Sequence, residues 1–212
     1  MAGPLDAVQA IHNAFREDLR RIDAAAADAA RGKSGLAATV ERFRFMNEVL
    51  VWHAHGEEIA VFPALEGVAL LVAEAYLKDH RGLDRAFDAL RDAASAKDAI
   101  GTARATAAFK FHLDIHLDKE DSHLYRIFGE RVPMPEQGKA VGIMANQVPQ
   151  DRFPELVAWL YPLMGDTDRE NMTRIWKMVI PAAAFAGAAQ LIQKAIPQGW
   201  TELNRRIPAL VG

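Results

Sequence analysis

The sequence contains no cysteine among its 212 residues. That absence excludes disulfide bonds, iron–sulfur clusters, thiolate zinc sites and cysteine nucleophiles together. Any metal ion bound by this chain must therefore be held by nitrogen and oxygen ligands, which in proteins are chiefly histidine and carboxylate side chains.

The chain also lacks an excess of either charge. It has 25 basic and 28 acidic residues, which gives a formal net charge of -3, and the two signs are interspersed along the sequence. Nucleic acids and anionic membranes are bound through clustered lysine and arginine. We therefore expect neither a nucleic-acid partner nor a membrane partner.

Long hydrophobic runs are missing as well. The longest uncharged stretch, residues 178–193, has 16 residues and is interrupted by Pro181, so it is short for a membrane span. Residues 1–6 contain no basic segment followed by an apolar one, which indicates that there is no signal peptide. Together these absences predict a cytoplasmic protein.

What the sequence does have is helical periodicity. Half of it is hydrophobic, and apolar residues recur at helical spacing, whereas no useful length alternates with period two. Four helices are predicted, over residues 5–31, 36–62, 69–94 and 100–131, and Pro63 is expected to end the second. Because long helices with short connections pack antiparallel, the fold is predicted to be all-α, with an antiparallel four-helix bundle at its centre.

The bundle is predicted to occupy only residues 1–131. Proline and glycine accumulate over residues 132–149, which indicates a linker, and residues 150–212 are predicted to form a C-terminal helical extension of shorter helices. The extension contains three tryptophans but no histidine. We expect it to cover apolar bundle surface, and the alternative is a homodimer formed through these helices.

Polar residues on the apolar faces of the helices carry the chemistry. The second and fourth predicted helices each place a histidine, and a glutamate four residues later, on the apolar stripe. The first and third helices each place one histidine there. The six inward-facing residues are His12, His53, Glu57, His80, His116 and Glu120.

The arrangement is an internal repeat that suits two metal ions. His12 and His80 are 68 residues apart and His53 and His116 are 63 apart, a separation typical of one helical hairpin. Burying uncompensated carboxylates and imidazoles costs several kcal/mol per charge, and a divalent cation in each half would offset that cost. Donors without sulfur favour non-heme iron, with manganese and zinc as rivals. A satisfied polar core and a mononuclear site are the alternatives.

The order of these residues, with Phe62 and Pro63 after the first motif, resembles the HHE cation-binding domain of the hemerythrin family over about residues 5–130. The resemblance implies a di-iron centre, bridged by oxide or hydroxide, that binds dioxygen or, in bacterial and sensor members, meets peroxide, nitric oxide or iron itself. It also implies two bridging carboxylates, Glu57 and Glu120, and four terminal ligands, which are His12, His53, His80 and His116.

Two departures from the family's oxygen carriers bear on function. Those proteins have a further histidine four residues after the third-helix histidine, where this chain has Asp84. Their last carboxylate is an aspartate five residues after its histidine, whereas here Glu120 lies at four and Asp121 at five. One imidazole fewer leaves the site more open, which favours a reactive or sensing role over reversible oxygen carriage.

Several other side chains are expected near the ligands, as additional donors or as hydrogen-bond partners of the ligands. They are Tyr76, Asp84, His112, Asp121, His123 and Glu58. His55 falls off the stripe, and we expect it to be solvated. The function predicted from the sequence is a non-heme di-iron protein that binds dioxygen or a related small oxidant, with catalase-like peroxide decomposition as one activity to test. The alternative is a non-catalytic iron or oxygen sensor that signals through its C-terminal helices.

Overall fold

The computed structural model describes residues 3–208 and 210, and these residues form helices and no strand. The first two residues of the stretch examined for a signal peptide lie outside the described part. The chain divides into two compact units, one comprising Phe15–Gln147 and the other residues 1–14 with 148–212. No helix within the described ranges is long and apolar enough to cross a membrane.

Four long helices in the first unit correspond to the four that periodicity predicts. They are α1 (Pro4–Ala30, whose first residues belong to the other unit), α2 (Leu36–Gly56), α4 (Val72–Ser95) and α5 (Ala99–Lys119). The Phe43 ring of α2 stacks on Phe87 of α4 and meets Phe109 of α5 edge to face, with ring centroids 5.5 and 5.1 Å apart. The predicted all-helical bundle is confirmed.

The second and fourth helices of the bundle each contain one wide turn of π-helix. The first, π1, spans Glu57–Val61, and the second, π2, spans Glu120–Leu124. The N–H of Phe62 donates to the carbonyl of Glu57, five residues back, and the N–H of Tyr125 donates likewise to the carbonyl of Glu120. Single π-turns inside α-helices occur frequently at functional sites. Here each of them begins at a carboxylate that the sequence predicts to bind metal.

The helix that contains the first π-turn does not end before Pro63, and that expectation is wrong. It continues as α3 (Phe62–Glu66). Pro63 lies in the first turn of α3, where its missing N–H removes no helical hydrogen bond. The carboxylate of Glu66 then accepts the N–H groups of Leu71 and Ala73, at 2.9 and 3.1 Å, and this closes the turn into α4.

The segment expected as a linker contains a helix. After α6 (Tyr125–Arg131), α7 spans Met134–Ala145 and belongs to the same unit as the bundle. The Gln137 amide donates to the carbonyls of Gly129 and Val132 at 3.1 and 2.7 Å, which satisfies the end of α6. The prolines of this segment start the helix rather than prevent it, because proline is compatible with the first helical turn.

The other unit contains the helices predicted for the C-terminal extension. They are α8 (Phe153–Leu160), α9 (Asp166–Val179), α10 (Ala182–Ala195) and α11 (Trp200–Arg206). Its core includes Tyr161, whose hydroxyl lies 2.9 Å from Oγ1 of Thr173. The N-terminal end of α1 belongs to this unit, and the Asn13 amide donates to Oδ2 of Asp168 on α9 at 3.0 Å.

Candidate metal centre

All six side chains predicted to bind metal are buried. Glu57 and Glu120 have no exposed surface, and none of the histidines exceeds 7% exposure. Five of the six lie in the unit Phe15–Gln147. His12, which is also fully buried, lies on the part of α1 that belongs to the other unit.

The five side chains within the bundle unit bring nitrogen and oxygen atoms close together. Nε2 of His53 lies 3.3 Å from Oε1 of Glu57, and Nε2 of His80 lies 3.4 Å from Oε2 of the same carboxylate. Nε2 of His116 lies 3.2 Å from Oε1 of Glu120, and Nε2 of His80 lies 3.8 Å from that oxygen.

These atoms form two adjoining sets of donors. One donor atom from each of His80, His116 and Glu120 lies within 4.8 Å of the others, and the same holds for His53, Glu57 and Glu120. Glu120 is common to both sets. A carboxylate shared by two donor sets is what a bridged pair of metal ions requires.

Two of the buried atoms indicate that a cation fits. Within the described part of the chain, neither Oε2 of Glu57 nor Nε2 of His80 has a hydrogen-bond partner. A buried polar group without a partner costs about 1–3 kcal/mol, and more if it is charged. Because carboxylate oxygen and imidazole nitrogen are both ligands of non-heme metals, an ion coordinated by the two atoms would remove that cost.

The electrostatics of the cluster point the same way. Burial, reinforced by the negative charge of Glu57, raises the pKa of Glu120 to about 8. Burial opposes ionisation of Glu57 too, but the imidazoles of His53 and His80 outweigh it and hold the pKa of Glu57 well below its usual range. The pKa of His80 rises to about 10, because neighbouring carboxylates outweigh the effect of burial. The cluster therefore holds protons that a metal ion must displace when it binds.

Carboxylates also hold the outer nitrogens of two histidines. Oε1 of Glu58, one of the residues expected to assist a ligand, lies 2.9 Å from Nδ1 of His80. Oδ2 of Asp79, which the sequence analysis did not single out, lies 3.6 Å from Nδ1 of His116. A carboxylate on the outer nitrogen fixes the orientation of the ring. Each of these rings consequently presents Nε2 to the donor cluster.

Tyr125 is the residue at the site that sequence reasoning missed. Its buried hydroxyl donates to Oε1 of Glu57 at 2.6 Å. In a regular α-helix a residue five positions after Glu120 would point about 140° away from it. The π2 turn removes that offset. A signal was present, since Tyr125 lies 63 residues after Phe62, which follows Glu57 at the same spacing and stacks on His80 with 5.4 Å between centroids.

His112 is exposed rather than buried beside the ligands, which corrects its predicted place. The buried face of α5 is centred on Leu113 and Leu117. His112 lies on the outer edge of that face, where its ring meets Phe111 edge-on with centroids 5.9 Å apart.

Tyr76 and His123 pair with each other instead of with the donor cluster. His123 is exposed, and its Nδ1 lies 3.0 Å from the hydroxyl of Tyr76, which also lies 3.0 Å from the carbonyl of Lys119 as a donor. Burial raises the pKa of this tyrosine to about 12. The phenol therefore stays protonated and serves the packing of α4 against α5.

Comparison with known protein families supplies the assignment. The model of the hemerythrin HHE cation-binding domain matches residues 3–128, which is more than half of the chain and includes all six buried candidates. The chain belongs to this family. The match confirms the resemblance that the spacing of the histidines and glutamates indicates.

Curated relatives of this HHE protein are distant. The zinc finger protein BRUTUS of Arabidopsis thaliana is 24% identical over 177 residues, which cover 80% of this chain and 14% of the relative. Two BRUTUS-like zinc finger proteins of the same plant are 20% and 21% identical over 86% of this chain, and cover 16% and 17% of their own length. The chain thus spans about a sixth of these relatives. No solved structure gives a significant match.

The two departures from the oxygen-carrying members of the HHE family can now be located. Asp84 is exposed, 4.0 Å from the guanidinium of Arg81, and is not in the donor cluster. Of the two neighbouring carboxylates on the fourth helix, Glu120 is the one in the cluster. Asp121 instead forms an ion pair with Arg16 at 2.7 Å.

Replacing Tyr125 by phenylalanine is expected to weaken metal binding while leaving the fold intact. The change removes the hydrogen bond to Glu57, and loss of such a partner typically lowers metal affinity by about 10- to 100-fold. Chelator competition measures the affinity. Tyr76→Phe is the matched control, since it removes a buried phenol that contacts no candidate ligand by hydrogen bond. Equal affinities of the two variants would contradict the assigned role.

Proposed function

We propose that the HHE domain of this chain holds two iron ions in adjoining sites and binds a small oxidant there. The observation that carries the proposal is the pair of buried donor sets that share Glu120. The atoms that lack hydrogen-bond partners, Oε2 of Glu57 and Nε2 of His80, support it.

We propose five ligands from the bundle unit and a sixth from α1. Glu57 and Glu120 would bridge the ions, and His53, His80 and His116 would each complete one side. His12 is assigned by the family's order of ligands. It is fully buried and lies one helical turn before Phe15, whose ring meets His53 edge-on. The unbroken course of α1 from Pro4 to Ala30 supports that assignment.

Iron is preferred because the donors are imidazole and carboxylate without sulfur. Bound iron would supply the electrons and open coordination positions that dioxygen, peroxide or nitric oxide needs. The protein's own part is to orient the ligands and exclude water. Phe62 stacked on His80 and Phe15 against His53 provide apolar cover, and the Tyr125 hydroxyl keeps its proton on the Glu57 carboxylate.

Loading the metal-free protein with ferrous iron is expected to give two iron ions per chain. Exposure to air should then produce a near-ultraviolet absorption band that a zinc-loaded sample does not show, because a ferric pair absorbs there and zinc does not. Elemental analysis together with the optical spectrum tests this. A stoichiometry well below one metal ion per chain contradicts the proposal.

A sensor is the second candidate, and one contact favours it. The unit that contains the C-terminal helices also contains the segment of α1 with His12, and the next residue, Asn13, donates to Asp168 of α9. Metal bound at His12 would therefore act on a segment to which α9 is attached. A sensor should show little peroxide turnover and a large change in hydrogen exchange of α9 on iron removal. An enzyme should show the reverse.

A further inference from the structure

A pocket in the bundle unit connects the donor cluster to the surface between α2 and α4. It has a volume of about 230 Å³. Its inner end is lined by buried donors, among them His53, Glu57 and His80. Its outer end is lined by exposed side chains, namely His55, Arg81 and Asp84. At about 30 Å³ per water molecule it has room for roughly seven waters, which is ample for a partly hydrated ion.

The charge of the lining favours a cation. Three carboxylates line the pocket, those of Glu57, Glu58 and Asp84, against the single guanidinium of Arg81. That guanidinium is itself 4.0 Å from Asp84, so part of its charge is offset. A concave surface of one predominant sign concentrates ions of the opposite sign and speeds their arrival. The same surface repels anions.

Donor atoms are present at every depth of the pocket. Asp84 and His55 are exposed at the mouth, Glu58 is partly buried, and the donors of the cluster are fully enclosed. Oε2 of Glu57 and Nε2 of His80, which have no hydrogen-bond partner in the described chain, belong to residues at the inner end. A divalent ion must exchange its water shell for protein ligands. These donors allow that exchange to occur in steps.

We propose that this pocket is the route by which divalent metal ions reach and leave the di-metal site, with Asp84 and His55 as its outer donors. The inference rests on the proposed metal centre and adds a function for residues that are not ligands of the bound ions. It assigns a role to Asp84, which stands where oxygen carriers of the family have a histidine.

The test is the rate of metal uptake by the full-length, metal-free protein. Cobalt(II) is the probe, because its visible absorption reports coordination without redox chemistry, and stopped-flow mixing gives the rate. Asp84→Asn should slow uptake by about threefold, as expected for one charge at the mouth of a focusing pocket. Asp88→Asn is the matched control. It removes an exposed carboxylate one turn further along α4 that does not line the pocket, and it should leave the rate unchanged.

Two further pairs of variants give the expected sign. Arg81→Ala should speed cobalt uptake by about threefold, because it removes the positive charge from the route. Arg91→Ala, on the same helix and outside the pocket, should not change the rate. His55→Ala should slow uptake by about twofold without changing the final stoichiometry. His112→Ala, which removes an exposed histidine of α5, is its control.

Chelator-driven release of cobalt completes the experiment. Release from Asp84→Asn should be no faster than from the unchanged protein, because a residue of the route affects passage in both directions. Uptake rates that are the same in all variants overturn the route, and so does slower uptake by Arg81→Ala, which would indicate a path for anions. Faster release from Asp84→Asn also overturns it, because Asp84 would then act on the filled site. If the unchanged protein takes up no cobalt, the metal centre itself is refuted.

Discussion

Replacing Glu120 by glutamine is expected to reduce metal content from two ions per chain to one or none. Glu120 belongs to both donor sets, so the change removes an anionic oxygen from each. The metal-free protein should keep its stability. At neutral pH a carboxyl group whose pKa is raised to about 8 is largely protonated, and glutamine resembles that form. Elemental analysis after loading, and denaturation of the metal-free protein, measure the two effects.

Glu130→Gln is the control for this prediction. Glu130 lies on α6, is exposed and pairs with Arg126 at 3.2 Å. It makes the same chemical change outside the donor cluster, so two ions should still bind. A Glu120→Gln protein that retains two ions with unchanged affinity would show that the carboxylate does not bridge them.

Replacing Gly56 by alanine is expected to destabilise the protein by about 1–2 kcal/mol, although alanine is the better helix former. A Cβ atom at Gly56 would lie 2.7 Å from Cα of Met144 and 2.9 Å from its Cβ, so α2 and α7 would have to separate. Because Glu57 is the next residue, that separation should also lower metal affinity. Chemical denaturation and chelator competition measure the two effects.

Gly82→Ala provides the comparison of opposite sign. Gly82 lies in the interior of α4, and the nearest atom to a Cβ there would be the flexible end of Arg85 at 3.9 Å. Without a steric conflict the change should stabilise the protein by up to about 1 kcal/mol through helix propensity. If both glycine variants shift stability in the same direction, the close approach of α7 is not what requires Gly56.

The sequence was sufficient to predict the bundle and its candidate ligands, because both depend on a strong and simple periodicity. His53 and Glu57 interrupt an apolar stripe, and His116 and Glu120 repeat the interruption 63 residues later. Few arrangements other than a buried site accommodate such a pattern. The structure places all of these side chains in the interior of the bundle unit.

The residues around the ligands were harder to predict, because they depend on local departures from the ideal helix. A helical wheel drawn at 3.6 residues per turn puts His112 and His123 on the ligand face and Tyr125 off it. The π2 turn and the position of the buried face at Leu113 and Leu117 reverse those placements. Contacts across helices, such as that of Asp79 with His116, leave no signal in the spacing of one helix.

The wide turn at Glu120 also acts as a phase shift within one continuous rod. A π-turn contains one residue more than the α-helical turn it replaces. Removing an exposed residue from it, such as Ser122, would restore regular winding and rotate everything downstream by about 100°. Tyr125 and Phe128 would then leave the interior, while His116 would keep its direction. The extra residue thus lets one helix turn different sides inward before and after the carboxylate, first for metal ligation and then for packing.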